Sequence, residues 1–401
     1  MQAYANLSDR EKRVLHADSK PNERWFERII DAHYWDQSAS AKRKTWAALR
    51  KGLDTSNVRS HFALQDRGNL HLLNGFVDMI RAHAPNSPLA HVPTPILATL
   101  PTPYFNAYSA KHPDYQGEAI IFNEALMTFL FLLAKIVARF FPADYVQGAG
   151  FFLIFDRGVT NKLFATDLGS RDLFGRLISG LVYDANPFYK TEPYLLPRGA
   201  SFVANNLLTY AELFVFAHEL AHIALGHHEK SDSSHVEWID SELLELNTEK
   251  SEEFAADAEA LTCIMTIVND IFKKVPDPPE RLTHTYWGID LFFKGLELTS
   301  NAITLAKFGY EAQIVDKAHP LVAQRRDALH EIVRTRFPGF NAKLGCPNWE
   351  VAVYPGGWIG YLIDAMWNEL KPKIKSLHEQ NTPVSHRWAN LTEAHIARNF
   401  A

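Results

Sequence analysis

The stretch from Leu207 to Leu225 is apolar almost throughout, yet His218, Glu219 and His222 lie inside it. Its periodicity is helical and Gly226 supplies a stop. Leu213, Phe214, Phe216, Ala217, Ala221 and Leu225 leave no wide polar face, so the sequence predicts a helix buried on most sides. Three ionisable groups are then withdrawn from water, which is costly unless a partner compensates them. A metal ion supplies that compensation, and the rest of the fold must be built to hold it.

His218 and His222 are four residues apart, so on a helix both imidazoles project from one face and can grip a single ion. Glu219 lies one residue round, beside the ion rather than on it. That suits a carboxylate that takes a proton from a water activated by zinc, whose bound water has a pKa of about 7. A third protein ligand is required, with one position left open. Two routes exist. In the H-E-x-x-H-x-x-G-x-x-H arrangement the third ligand is a histidine after a glycine-bent helix end. His228 has that spacing, but Leu225 stands where the glycine belongs and Gly226 comes one residue late. The favoured route takes Glu253 from a following helix, in Ser251-Glu252-Glu253-Phe254-Ala255-Ala256-Asp257. Asp257 shares the face of Glu253 and is placed to orient a ligand histidine. Ala255 and Ala256 leave room for close helix approach.

The 401 residues suffice for a large core, and 47% hydrophobic content is ordinary for a globular chain. A net charge of −5 provides no basic field for nucleic acid. The two cysteines, Cys263 and Cys346, cannot make a disulfide framework. Residues 119–141 and 202–225 are oily, but charged groups interrupt both, so neither is expected to span a membrane. With no apolar leader at Met1, the expected location is cytoplasmic.

Residues 1–84 read as a helical N-terminal region. Six prolines between Pro85 and Pro103 predict an extended, irregular linker over 85–103. A catalytic domain is expected over 104–336 and a helical C-terminal region over 337–401. Within the domain, strands are expected at 104–108, 119–122 and 151–155, with Asn123 capping a helix to about residue 141. Further helices are expected at 251–274, 285–308, 320–336 and 358–376. Trp349, Trp358 and Trp367 are assigned to packing rather than to a cleft.

The ordered motifs H-E-L-A-H at 218–222 and E-F-A-A-D at 253–257 resemble the gluzincin metallopeptidases, in particular the HtpX and CAAX-prenyl endopeptidase family. Asn106-Ala107-Tyr108 followed by Ile120 to Asn123 looks like that family's strand segment. His319-Pro320 with Arg325 looks like its His-Pro motif, and His227 matches a histidine five residues past the second ligand. The H-E-x-x-H helix is also similar to that of Lit-type phage-exclusion peptidases. The resemblance covers about residues 104–336 and implies an α+β, mostly helical, zincin-like domain with a small sheet. It implies zinc on His218, His222 and Glu253, Glu219 as base, and His319 or Arg325 at the oxyanion. Asn106, Ala107 and Tyr108 would bind substrate along a strand edge. The function expected is a zinc-dependent endopeptidase acting on an intracellular protein or peptide. The alternatives are an inactive metal-stabilised interaction module, or a hydrolase of a non-peptide amide.

Overall fold

A computed structural model describes residues 67–100, 105–111, 117–146, 150–153, 157–185, 194–227, 250–272, 279–314, 320–336, 356–389, 391–392 and 396–397. Among these the protein is α+β and mostly helical. Helix α1 (Arg67–His83) leads through a 3-10 turn at Pro88–His91 into strand β1 (Ile96–Leu100). The turn begins where the Ser87 hydroxyl accepts from Leu89 N–H at 3.2 Å, with Pro88 in the first turn where no donor is needed. Strands β2 (Ala107–Lys111) and β3 (Glu118–Asn123) complete a sheet of order β1-β3-β2, with β1 parallel and β2 antiparallel to β3. β2 is therefore an edge strand.

β1 lies inside the 85–103 stretch expected to be irregular. Pro95 and Pro101 flank the strand rather than interrupt it, so the prolines remove no ladder donor within it. β3 runs directly into helix α2 (Glu124–Ala138). Asn123 stands at its N-cap position, but its side chain makes no cap. Instead its Nδ2 donates to the Asn106 carbonyl at 3.0 Å, tying the start of β2 to the end of β3.

The following segment folds as a hairpin, β4 (Ala143–Val146) with β5 (Gly150–Leu153), and two helices, α3 (Arg157–Thr166) and α4 (Leu168–Ser179). Asp167 caps α4 by accepting from Ser170 N–H at 3.0 Å, and Arg139 braces it at 2.9 Å. Then come the long helices α5 (Arg198–Ala224), α6 (Lys250–Phe272) and α7 (Pro279–Phe308). A short strand β6 (Gln313–Ile314) pairs with β7 (Ile396–Ala397), and between them lie α8 (Val322–Arg336) and α9 (Gly356–Glu379).

Two hydrophobic cores meet along α5. Its N-terminal half, through Ala200, Val203, Ala204 and Leu207, packs with α2, α4, α7 and α9. Its C-terminal half, from Ala211 to Ala221, packs with α1, α6, one side of the sheet, and parts of α7 and α8. Trp367 belongs to the first of these cores and donates from Nε1 to Glu311 at 2.5 Å, and Trp358 packs beside it; Trp349 lies outside the described residues. α7 crosses α5 closely because Gly288 has no side chain. A Cβ there would sit 2.7 Å from the Leu207 carbonyl oxygen and 2.7 Å from Tyr210 Cβ. Among the described residues α5 is the one helix long and apolar enough to cross a membrane, but most of that apolar stretch is buried inside the protein.

Candidate metal centre

α5 is apolar all round where it carries the site, as a helix between two cores must be. His218, Glu219 and His222 are buried with it, at 6%, 7% and 5% exposure. The first turns of α6 bring Glu253 and Asp257 against the imidazoles, both at 1% exposure. The close approach comes through Ala256 and Ala260, which are fully buried; Ala255 faces outward.

His218 Nε2 lies 3.1 Å from His222 Nε2. Glu253 places Oε2 3.5 Å from the former and Oε1 3.2 Å from the latter. The three ligating atoms lie within 4.8 Å of one another. His218 Nδ1 is 2.9 Å from Asp257 Oδ1, which favours a proton on Nδ1 and leaves the lone pair on Nε2. His222 Nδ1 lies 2.8 Å from His227 Nδ1. With His222 Nδ1 as the donor in this pair, its Nε2 lone pair turns inward as well. Two imidazole nitrogens and a carboxylate thus converge on one buried point, a group that could hold a metal ion. This donor set and its spacing suit zinc.

The electrostatics agree. Burial would lower the pKa of His218, but the Glu253 and Asp257 carboxylates overcome it and raise the imidazole to about 10. The site is built to hold positive charge. Burial would raise the Asp257 carboxyl, but Arg325 and His218 hold it below the usual range.

Gly226 shapes one edge of the centre. Its φ of 68° is the left-handed conformation that ends α5, and its N–H donates to the Ile223 carbonyl at 3.1 Å. The reversal turns His227 back onto His222. Leu225, expected in the buried face, is 38% exposed beside this turn.

Glu219 is held from the opposite side. The hydroxyl of Ser109, on β2, donates to Glu219 Oε2 at 3.1 Å. Strand alternation puts Ala107 and Ser109 on the side of the sheet that faces α5, and Ala107 packs in the core formed there. Tyr108 faces the other side, packing with Ala98 and Ile121, where burial pushes its hydroxyl up to about 12. Asn106 accepts the Asn123 N–H at 3.2 Å and so anchors the strand. Of the three residues expected to bind substrate, Ala107 alone projects toward the centre, and Ser109 was not foreseen. The two-residue alternation from Ala107 gives its side of the strand, but nothing local gives its partner.

Arg325 donates from Nε and Nη2 to the two Asp257 oxygens, each at 2.7 Å, and its Nη1 lies 3.3 Å from Glu253 Oε2. The guanidinium sits behind the ligands, gripping the carboxylates that hold the histidines. His319 and the alternative ligand His228 lie outside the described residues. Glu252 is buried but is not part of the ligand group.

No curated protein and no solved structure matches this chain. The motif likeness to the HtpX and CAAX-prenyl endopeptidases therefore stands on the motifs alone. Residues 187–331 match the family model of Peptidase U49, a span that holds His218, Glu219, His222, Glu253, Asp257 and Arg325, and the match supports a peptidase of the Lit-like kind.

Proposed function

We propose that the protein is a zinc-dependent endopeptidase, with His218, His222 and Glu253 as metal ligands and Glu219 as general base. The observation that carries this reading is the convergence of three buried ligating atoms within 4.8 Å, with the Glu219 carboxylate alongside. When bound, zinc supplies Lewis acidity to a scissile carbonyl and to a water molecule. Glu219 accepts the proton of the attacking water and delivers it to the departing amine nitrogen. Ser109 holds Oε2, which leaves Oε1 for the water. Asp257 and His227 fix the ring orientations of His218 and His222. Arg325 is a positioning residue that keeps Asp257 ionised. Among the described residues β2 is an edge strand that passes the base at Ser109, so an extended peptide that adds to this edge lies with its backbone over Glu219.

An interaction module stabilised by metal has no use for a buried carboxylate beside the ligands, whereas a hydrolase requires one. The substrate is proposed to be an intracellular protein. The test compares wild type with Glu219→Gln in metal content and in new protein N-termini inside cells. Equal zinc with loss of cleavage supports the reading. Identical N-termini in the two strains would remove it, and wild-type zinc affinity in Glu253→Ala would refute the ligand set.

A further inference from the structure

Glu212 lies on α5 two turns before Glu219. Seven helical residues turn through about 700°, so the two carboxyls leave the helix on nearly the same side, about 10 Å apart along its axis. Glu212 is 4% exposed. Among the described residues no donor or cation reaches it, and burial is the one influence on its carboxyl, pushing it up to about 8. The same stripe of α5 continues through half-buried Leu208 to exposed Asn205, so it opens outward at its far end. Phe105, just before β2, packs with the same two cores that Leu208 touches. α5 packs against β2, and Ser109 meets Glu219 there.

A buried carboxyl without a partner is costly unless something arrives to pair with it. We propose that Glu212 is a specificity residue that receives a lysine or arginine side chain of the bound peptide, about three residues from the scissile bond at about 3.3 Å per residue. The assignment rests on the peptidase reading and adds a substrate class to it. Charge elsewhere agrees. Residues 229–249, between the two ligand helices in sequence, carry seven carboxylates and a single lysine, Lys230. Such a balance favours cationic over acidic partners for the chain.

The experiment uses the zinc-loaded full chain carrying Glu219→Gln, so that probes bind without turnover. Fluorescent ten-residue peptides differ only in having lysine or norleucine at each position in turn, and anisotropy reads their affinity. Lysine at one position should bind at least tenfold tighter than norleucine, and adding Glu212→Gln should abolish the difference. Lysine and norleucine probes that bind alike, or fail alike, at every position overturn the proposal even if the double variant is unfolded. A lysine preference that survives Glu212→Gln in a folded protein overturns it too. Wild type that cleaves none of the probes while the preference holds would count against the peptidase reading and leave the Glu212 site standing. Cleavage without any position favouring lysine would do the reverse.

Discussion

Arg325 and Asp257 form a two-pronged ion pair, with both guanidinium–carboxylate distances at 2.7 Å, on helices that meet behind the proposed metal ligands. Asp257 in turn sits 2.9 Å from the ring of His218. A helix of the C-terminal half thus reaches His218 through one intervening carboxylate. Replacing Arg325 by Met strands a buried charge, which should cost about 3–5 kcal/mol in stability. Zinc affinity should fall 10- to 100-fold as His218 loses its orientation, on the order of other ligand-supporting changes. Urea unfolding and competition titration with a chromophoric chelator measure the two effects. Arg325→Lys should recover little, because a single ammonium cannot reproduce the fork. Unchanged zinc affinity in both variants would show that the pair serves the fold alone.

Ser109→Ala removes the one hydroxyl that, among the described residues, donates to the proposed base. The loss should lower kcat/KM about tenfold, a cost of about 1.4 kcal/mol, comparable to one hydrogen bond to a charged group. Zinc content should not change, since Ser109 touches no ligand. A variant that loses metal together with activity would contradict the division of labour drawn between β2 and α6.

Metal uptake should release protons. His218 in the metal-free protein is held at about 10, so it is protonated at pH 8, whereas a ligand imidazole must be neutral. Calorimetric titration of zinc at pH 8, repeated in buffers of different ionisation enthalpy, should reveal about one proton leaving this side chain. The sign for stability follows from the raised value. The contribution of His218 to the metal-free fold is complete below its ordinary value near 6.5 and is lost as pH rises through about 10. The metal-free protein should therefore weaken over that window, and zinc should protect it most at the alkaline end. A melting temperature flat from pH 6.5 to 10 would disagree.

Gly288→Ala tests the crossing of α7 over α5. The added methyl would meet the Leu207 carbonyl oxygen and the Tyr210 Cβ, each at 2.7 Å, and backbone cannot yield as a flexible side chain can. A loss of about 1–3 kcal/mol is expected from overpacking. Tolerance of alanine there, measured by urea unfolding, would mean that the helices are not held so close.

The grouping of His218, His222 and Glu253 was legible because its signals are local. His218 and His222 share a helix face by spacing, and Glu253 and Asp257 repeat the device one helix later. The long helices were also readable, since each carries enough periodic apolar residues to declare itself. Ser109 was hidden because its link to Glu219 joins residues 110 apart, and no local pattern encodes such a pairing. β1 was masked by its flanking prolines. The short helices α3 and α4 were overlooked, because amphipathic runs of 10 and 12 residues carry little weight alone. Arg325 was expected at the oxyanion, whereas pairing between α6 and α8 turns it to the rear of the ligands.

The two cores that share α5 have a practical corollary for anyone trimming this chain. The matched span, residues 187–331, contains the whole ligand set, yet cut free it would lose α1, the sheet, α2 and α9 together. The bare helix would then show oil to water on both flanks, and with Ser109 gone the base would swing loose. A minimal working fragment must reach outward from the motif in both directions.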